Sequence, residues 1–131
     1  MRWRACENHN AKNSVFVDQG ENCQVQEYKL DTELDCAIVS VKGRYPLEGK
    51  VLNQQCKEMA YVVKGKVNIT IKDTVFELSA GDAVLIEPEE VYHWEGDLEL
   101  FISCNPAWSP EQHVVLKFEK NSSDLYSKIE F

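Results

Sequence analysis

The sequence predicts an all-β protein, a small antiparallel barrel or jelly roll, on three observations. Its hydrophobic period is two almost throughout, its strand-like runs are short and closely spaced, and turn residues separate them. The alternation is clearest in the run KVNITIK at 66–72, where Val67, Ile69 and Ile71 take one face and polar side chains the other. Further strands are predicted at 24–30, 36–42, 59–64, 74–78, 83–87, 98–104 and 113–119. Lys64-Gly65, Ala80-Gly81-Asp82 and Glu95-Gly96-Asp97 read as turns, and Pro106 and Pro110 bracket a loop. One short C-terminal helix is expected at 122–130, where Ser122 or Ser123 could cap a turn that aligns Leu125, Tyr126 and Ile129.

A chain of 131 residues with 44% hydrophobic content suits one core. Residues 1–13 are polar enough to be a loose N-terminal segment, and 14–131 are expected to form a single barrel domain. Twenty-two acidic against 14 basic side chains give a formal net charge of -8, a field that repels phosphate backbones and anionic lipid. Nucleic acid and membrane are therefore not expected partners. The opening MRWRACENHNAKN lacks the apolar core of a signal peptide, and no stretch approaches the roughly 18 apolar residues of a membrane span, so a cytoplasmic location is expected. Cys6, Cys23, Cys36, Cys56 and Cys104 are odd in number and lack CxxC spacing, which reads as reduced thiols rather than a disulfide frame or a zinc ribbon.

Two segments carry a family resemblance. Glu58-Met-Ala-Tyr-Val-Val-Lys-Gly65 has a glutamate followed by six residues and a turn glycine. Gly81-Asp-Ala-Val-Leu-Ile-Glu-Pro88 leads through an apolar strand to a proline, with His93 five residues further on. Together they resemble the two motifs of the cupins, with one extra residue between Gly81 and Pro88. The resemblance implies a double-stranded β-helix, or jelly-roll, barrel. It also implies a His-x-His pair three or four residues before the glutamate, where this sequence has Leu52 and Gln54, or Val51 and Asn53. Of the ligand set that holds a divalent metal in such proteins, Glu58 and His93 alone match. An amide of Asn53 or Gln54 is a poor substitute for imidazole. No cofactor is expected, and a metal, if held, would draw on Glu58 and His93.

The candidate catalytic pair is Glu58 and His93, which on one inner face would shift each other's pKa and could shuttle a proton. The plainer alternatives are a carboxylate anchoring a neighbouring strand and a histidine satisfied at the barrel rim. If Glu58 faces inward, Ala60 and Val62 follow it, and His93 shares its face with Val91 while Tyr92 and Trp94 point away. A one-residue slip would reverse that second assignment. Candidate ligand-binding residues are Asn53 and Gln55 before the glutamate, with Trp108, Gln112 and His113 in the loop Cys104-Asn-Pro-Ala-Trp-Ser-Pro-Glu-Gln-His113. There Trp108 could stack on a flat ligand, or simply plug the barrel end. Glu87, Glu89 and Glu90 around Pro88 read as a solvated acidic turn.

Three functions remain open from sequence. The first is a barrel that binds a small polar or carbohydrate-like molecule. The second is a metal-independent sugar isomerase or epimerase using Glu58 and His93. The third is a metal-dependent dioxygenase or isomerase with atypical ligands. The resemblance further implies a homodimer, with Tyr61 and Val63 as candidate contacts.

Overall fold

In the computed structural model, residues 14–18, 22–118 and 126–130 are described, with side chains for 22–117. Ten strands carry them: β1 (Ser14–Asp18), β2 (Cys23–Tyr28), β3 (Asp35–Tyr45), β4 (Lys50–Asn53), β5 (Lys57–Ile71), β6 (Thr74–Ser79), β7 (Ala83–Ile86), β8 (Tyr92–Asn105), β9 (His113–Phe118) and β10 (Tyr126–Glu130). A 3-10 turn, Pro110–Gln112, precedes β9. All pairings are antiparallel. The strands make one curled sheet of order β1-β2-β3-β8-β4-β9-β10, and β5 joins it through β8 while also pairing β6 and β7. This is the all-β barrel architecture that the alternation predicts.

β8 is the hub because it is long enough to bond β3 along one edge and β5 along the other. Leu100 lies opposite Val39 on one side and Val62 on the other, and all three are buried. Such a fully enclosed leucine contributes about 2 kcal/mol from burial. The inward positions of β2 and β3 are odd-numbered: Cys23, Val25, Glu27, then Asp35, Val39 and Val41. In β8 they are even-numbered, Tyr92, Trp94, Leu98, Leu100 and Cys104.

In β5 the inward phase changes, from Glu58, Ala60 and Val62 to Val67, Ile69 and Ile71. A bulge between Val62 and Lys64 inserts the residue that shifts it. Lys64-Gly65 is thus no turn, and 59–64 and 66–72 are one strand. Glu95-Gly96-Asp97 is likewise interior to β8. Both glycines permit close approach of backbones. A Cβ on Gly65 (φ +90) would sit 2.1 Å from the Asp97 carbonyl oxygen, and one on Gly96 (φ +134) 2.5 Å from that of Lys66.

The turn at Ala80-Gly81-Asp82 is present, held by the Ser79 N–H donating to Asp82 Oδ2 at 2.8 Å. Two further elements differ from the sequence expectation. Lys50–Asn53 forms β4, docked on β9. The expected C-terminal helix is not formed over Tyr126–Glu130, which pairs with β9 as β10; residues 122–125 of that expectation lie outside the described residues. The open edge of β9 offers unpaired backbone groups that a strand satisfies and a helix would not. The expectation of a loose segment at 1–13 also lies outside them. Among the described residues no helix is long and apolar enough to cross a membrane.

Candidate functional site

A cavity of about 80 Å³ opens between β2, β3, β8 and the Trp108 loop. That is well above the ~10–15 Å³ a single water needs. Its apolar wall includes Val25, Val39, Tyr92, Trp94 and Ile102, and its polar groups are Glu27, Asp35, Tyr45, Glu58 and His113.

Glu58 reaches this cavity because it opens the inward phase of β5, opposite Cys104 of β8. Its Oε1 accepts from Asn53 Nδ2 at 3.2 Å and from the Cys104 thiol at 3.8 Å. Its Oε2 makes no hydrogen bond among the described residues. Burial pushes the carboxyl up to about 7, against the two hydrogen bonds, which pull it down, and with a smaller upward push from Asp35. A carboxyl so placed exchanges its proton near neutral pH.

Asn53 stands behind the cavity wall and fixes the proton arrangement around it. Trp108 Nε1 lies 3.0 Å from Asn53 Oδ1, and an indole N–H only donates, so that atom is the amide oxygen. His113 Nδ1 lies 2.7 Å from the same oxygen and must donate to it. Burial depresses His113 to about 4, so the ring is neutral and Nε2 carries a lone pair. The Tyr45 hydroxyl, 2.8 Å away, therefore donates to Nε2. The result is one directed chain, Tyr45 to His113 to Asn53, with the Asn53 amide passing a second donor to Glu58. Non-local pairing makes this meeting: Asn53 faces His113 across β4 and β9, and the Glu89 N–H donates to the Asn53 carbonyl at 2.7 Å.

Of the residues singled out from sequence, Glu58, Trp108 and His113 line the cavity and Asn53 ties them together. Gln55 and Gln112 are not brought to it. The Gln112 side chain is buried, accepts from the backbone N–H groups of Gln55 and Cys56 at 3.1 and 2.7 Å, and donates to the Ala107 carbonyl at 3.3 Å. Those bonds staple the 54–56 turn to the Trp108 loop and use up the amide.

His93 does not face Glu58. Tyr92 and Trp94 hold the inward phase of β8, so His93 points to the other face, where its Nε2 meets Glu95 Oε1 at 2.9 Å. The register is the reverse of the one expected. Burial lowers the pKa of His93, opposed by Glu95. Its Nδ1 is buried without a hydrogen-bond partner among the described residues. The sequence reading missed Tyr45, Glu27 and Asp35 as cavity residues. A signal for Tyr45 existed, since it continues the odd-numbered inward phase of β3.

The donor set does not suit a divalent metal of the cupin type. Glu58 and His93 occupy opposite faces, and both ring nitrogens of His113 are engaged by Tyr45 and Asn53. Among the described residues no group of three or more His, Cys, Asp or Glu side chains is placed to hold an ion. The acidic turn at Glu87 to Glu90 closes on itself instead, with the Glu87 N–H donating to Glu90 Oε1 at 2.8 Å.

Strand order and the inward-facing cavity are those of a cupin-type β-barrel fold. The family model described as the EutQ-like cupin domain matches residues 43–100. No curated protein sequence matches the chain. Among solved structures it is similar to a Streptomyces PAC13 variant with uridine, at 17% identity and a TM-score of 0.74 over 90% of this chain and 93% of that one. KdgF from a Halomonas species follows at 18% identity and a TM-score of 0.59, covering 72% and 88%. The Clostridium difficile EutQ protein gives 16% identity and a TM-score of 0.59, covering 69% and 66%. At these identities the likeness is one of fold.

Proposed function

We propose that the barrel binds a small polar molecule of carbohydrate or nucleoside type in this cavity, and that Glu58 is the carboxyl that meets it. The observation that carries the reading is the state of Glu58: buried, held through one oxygen by Asn53 and Cys104, with the other oxygen left for a ligand. Aromatic walls at Trp94, Trp108 and Tyr92 suit a ring with polar edges. The PAC13 structure with uridine supports that class of ligand in a barrel of this shape.

A second reading, proton transfer on a sugar-like substrate, is favoured by the near-neutral pKa of Glu58. It takes Glu58 as the group touching substrate and His113 as a positioning residue. His93 has no part in it, since it lies on the other face.

Binding calorimetry with uridine and a panel of hexoses tests the first reading. At least one ligand should bind with a Kd below about 1 mM, and Trp108→Ala should weaken it by about tenfold. No binding, or binding indifferent to W108A, overturns it. For the second, Glu58→Gln should hold affinity within about threefold and abolish turnover; unchanged turnover removes Glu58 from the chemistry.

We further infer a homodimer. Met59, Tyr61, Val63, Leu85 and Phe101 are exposed, and Met59 pairs with Leu85 while Tyr61 pairs with Phe101, so they form one apolar patch across β7, β5 and β8. The free thiols at Cys23, Cys36, Cys56 and Cys104 support a reducing compartment such as the cytoplasm.

A further inference from the structure

Three carboxyls, Glu27, Asp35 and Glu58, line the one cavity, each at most 8% exposed. No lysine or arginine lines it among the described residues. The nearest compensation is Lys29, whose ammonium lies 3.6 Å from Glu27 Oε2 on a half-exposed side chain outside the lining. Asp35 Oδ2 accepts the Trp108 backbone N–H at 3.1 Å, which orients the carboxyl without neutralising it. Glu58 keeps an oxygen unbonded, and burial holds His113 neutral. The chain as a whole adds a formal charge of -8.

Buried carboxyls in a lining that holds no lysine or arginine repel any anion that enters. A phosphate, a sulfate or a second carboxylate would find neither arginine nor lysine nor a helix N-terminus. A protonated nitrogen would find carboxylate acceptors in the lining. It would also find the rings of Trp94, Trp108, Tyr45 and Tyr92 in the lining, and an aromatic quadrupole attracts a cation at its face.

Resting on the small-molecule reading above, we propose that the ligand is amine-bearing: a sugar-like or similarly sized polar molecule with one protonated nitrogen, selected by Glu27, Asp35 and Glu58. Nucleotides, sugar phosphates and sugar acids are rejected by the same groups.

The test uses three probes of one ring size and different charge, glucosamine, glucose and glucuronate, titrated into the full chain at pH 7. The indole N–H resonance of Trp108 reports on the cavity because it is bonded to Asn53. Glucosamine should move it at about one-tenth of the concentration glucose requires, with no response to glucuronate. In Glu27→Gln, and separately in Asp35→Asn, that preference should shrink to less than about threefold. Equal response to glucosamine and glucose overturns the amine and leaves the small-molecule reading standing. A glucuronate response as strong as that to glucosamine overturns it too, as does an unchanged ranking in both variants. Silence from all three probes overturns the amine, and silence from uridine as well overturns the small-molecule reading. The ranking in the unmodified chain decides the matter even where a variant fails to fold.

Discussion

Asn53 Oδ1 receives two donors, the His113 ring at 2.7 Å and the Trp108 indole at 3.0 Å, and this double acceptance fixes the protonation of the whole cluster. A neutral amide is the right group there because its other end must donate to Glu58. Asn53→Asp would put a negative charge beside His113 and beside Glu58. The imidazolium form of His113 should gain, lifting its pKa from about 4 by at least about one unit, while Glu58 rises above about 7 by like-charge repulsion. Titration of the His113 ring protons by NMR checks this. A ring that still titrates near 4 in N53D would show that burial alone controls it.

Glu58 and His113 bend the stability of the fold with pH in opposite directions. Between its ordinary 4.5 and its folded value near 7, Glu58 is protonated in the native state and ionised in the unfolded one. Stability from this group is complete below about 4.5 and is lost as pH rises toward 7, by about 3 kcal/mol. Between about 4 and its ordinary 6.5, His113 is neutral when folded and charged when unfolded, so stability rises with pH by a similar amount. Over the shared window the slopes cancel. Chemical denaturation from pH 4.5 to 6.5 should therefore show little slope from this pair in the parent chain. Glu58→Gln should expose a rise with pH, and His113→Gln a fall. Two variants with the same slope would contradict the opposed shifts.

Period-two alternation was enough to read the barrel from sequence, and it placed Glu58, Ala60 and Val62 on one inward face. The motif resemblance, through the spacing from Pro88 to His93, put His93 on the inner face, and the turn read at Glu95-Gly96-Asp97 hid the conflict with the strand phase. Once β8 is continuous, Leu98, Leu100 and Cys104 carry their phase back through Gly96 to Trp94 and Tyr92 and turn His93 outward. Glycine in a strand and glycine in a turn look alike locally, and only the neighbouring backbone distinguishes them. The Asn53, Trp108 and His113 cluster was legible as separate candidates and not as a network, since it depends on β4 docking against β9 some sixty positions away. Gln112 looked like a ligand group for the same reason: its staple to Gln55 and Cys56 is a tertiary fact.

The distinction between a turn and a crossing is itself testable at Gly65. In a turn with open space, alanine would meet only the strain of a positive φ, about 1 kcal/mol. Here its Cβ would also sit 2.1 Å from the Asp97 carbonyl oxygen, so β5 and β8 must part. Gly65→Ala should lower unfolding stability by at least about 2 kcal/mol in urea titration. A loss under about 1 kcal/mol would mean the two strands do not approach this closely.

The outer face of β5 turns the dimer into a measurable claim. Met59 is 48% exposed, Tyr61 44%, Leu85 49% and Phe101 37%, although each occupies the centre of a regular sheet rather than a loop. Polar side chains at those four positions would satisfy the alternation equally well, so their apolar character needs a partner surface or goes unused. Because the patch lies on the face opposite Glu58, association through it leaves the cavity clear. Light scattering across a dilution series should give twice the chain mass at micromolar concentration. The double substitution Tyr61→Ser with Phe101→Ser should shift the chain to monomer without moving its ligand affinity. A monomer in the unsubstituted chain, or a dimer indifferent to both changes, would remove this face as the interface.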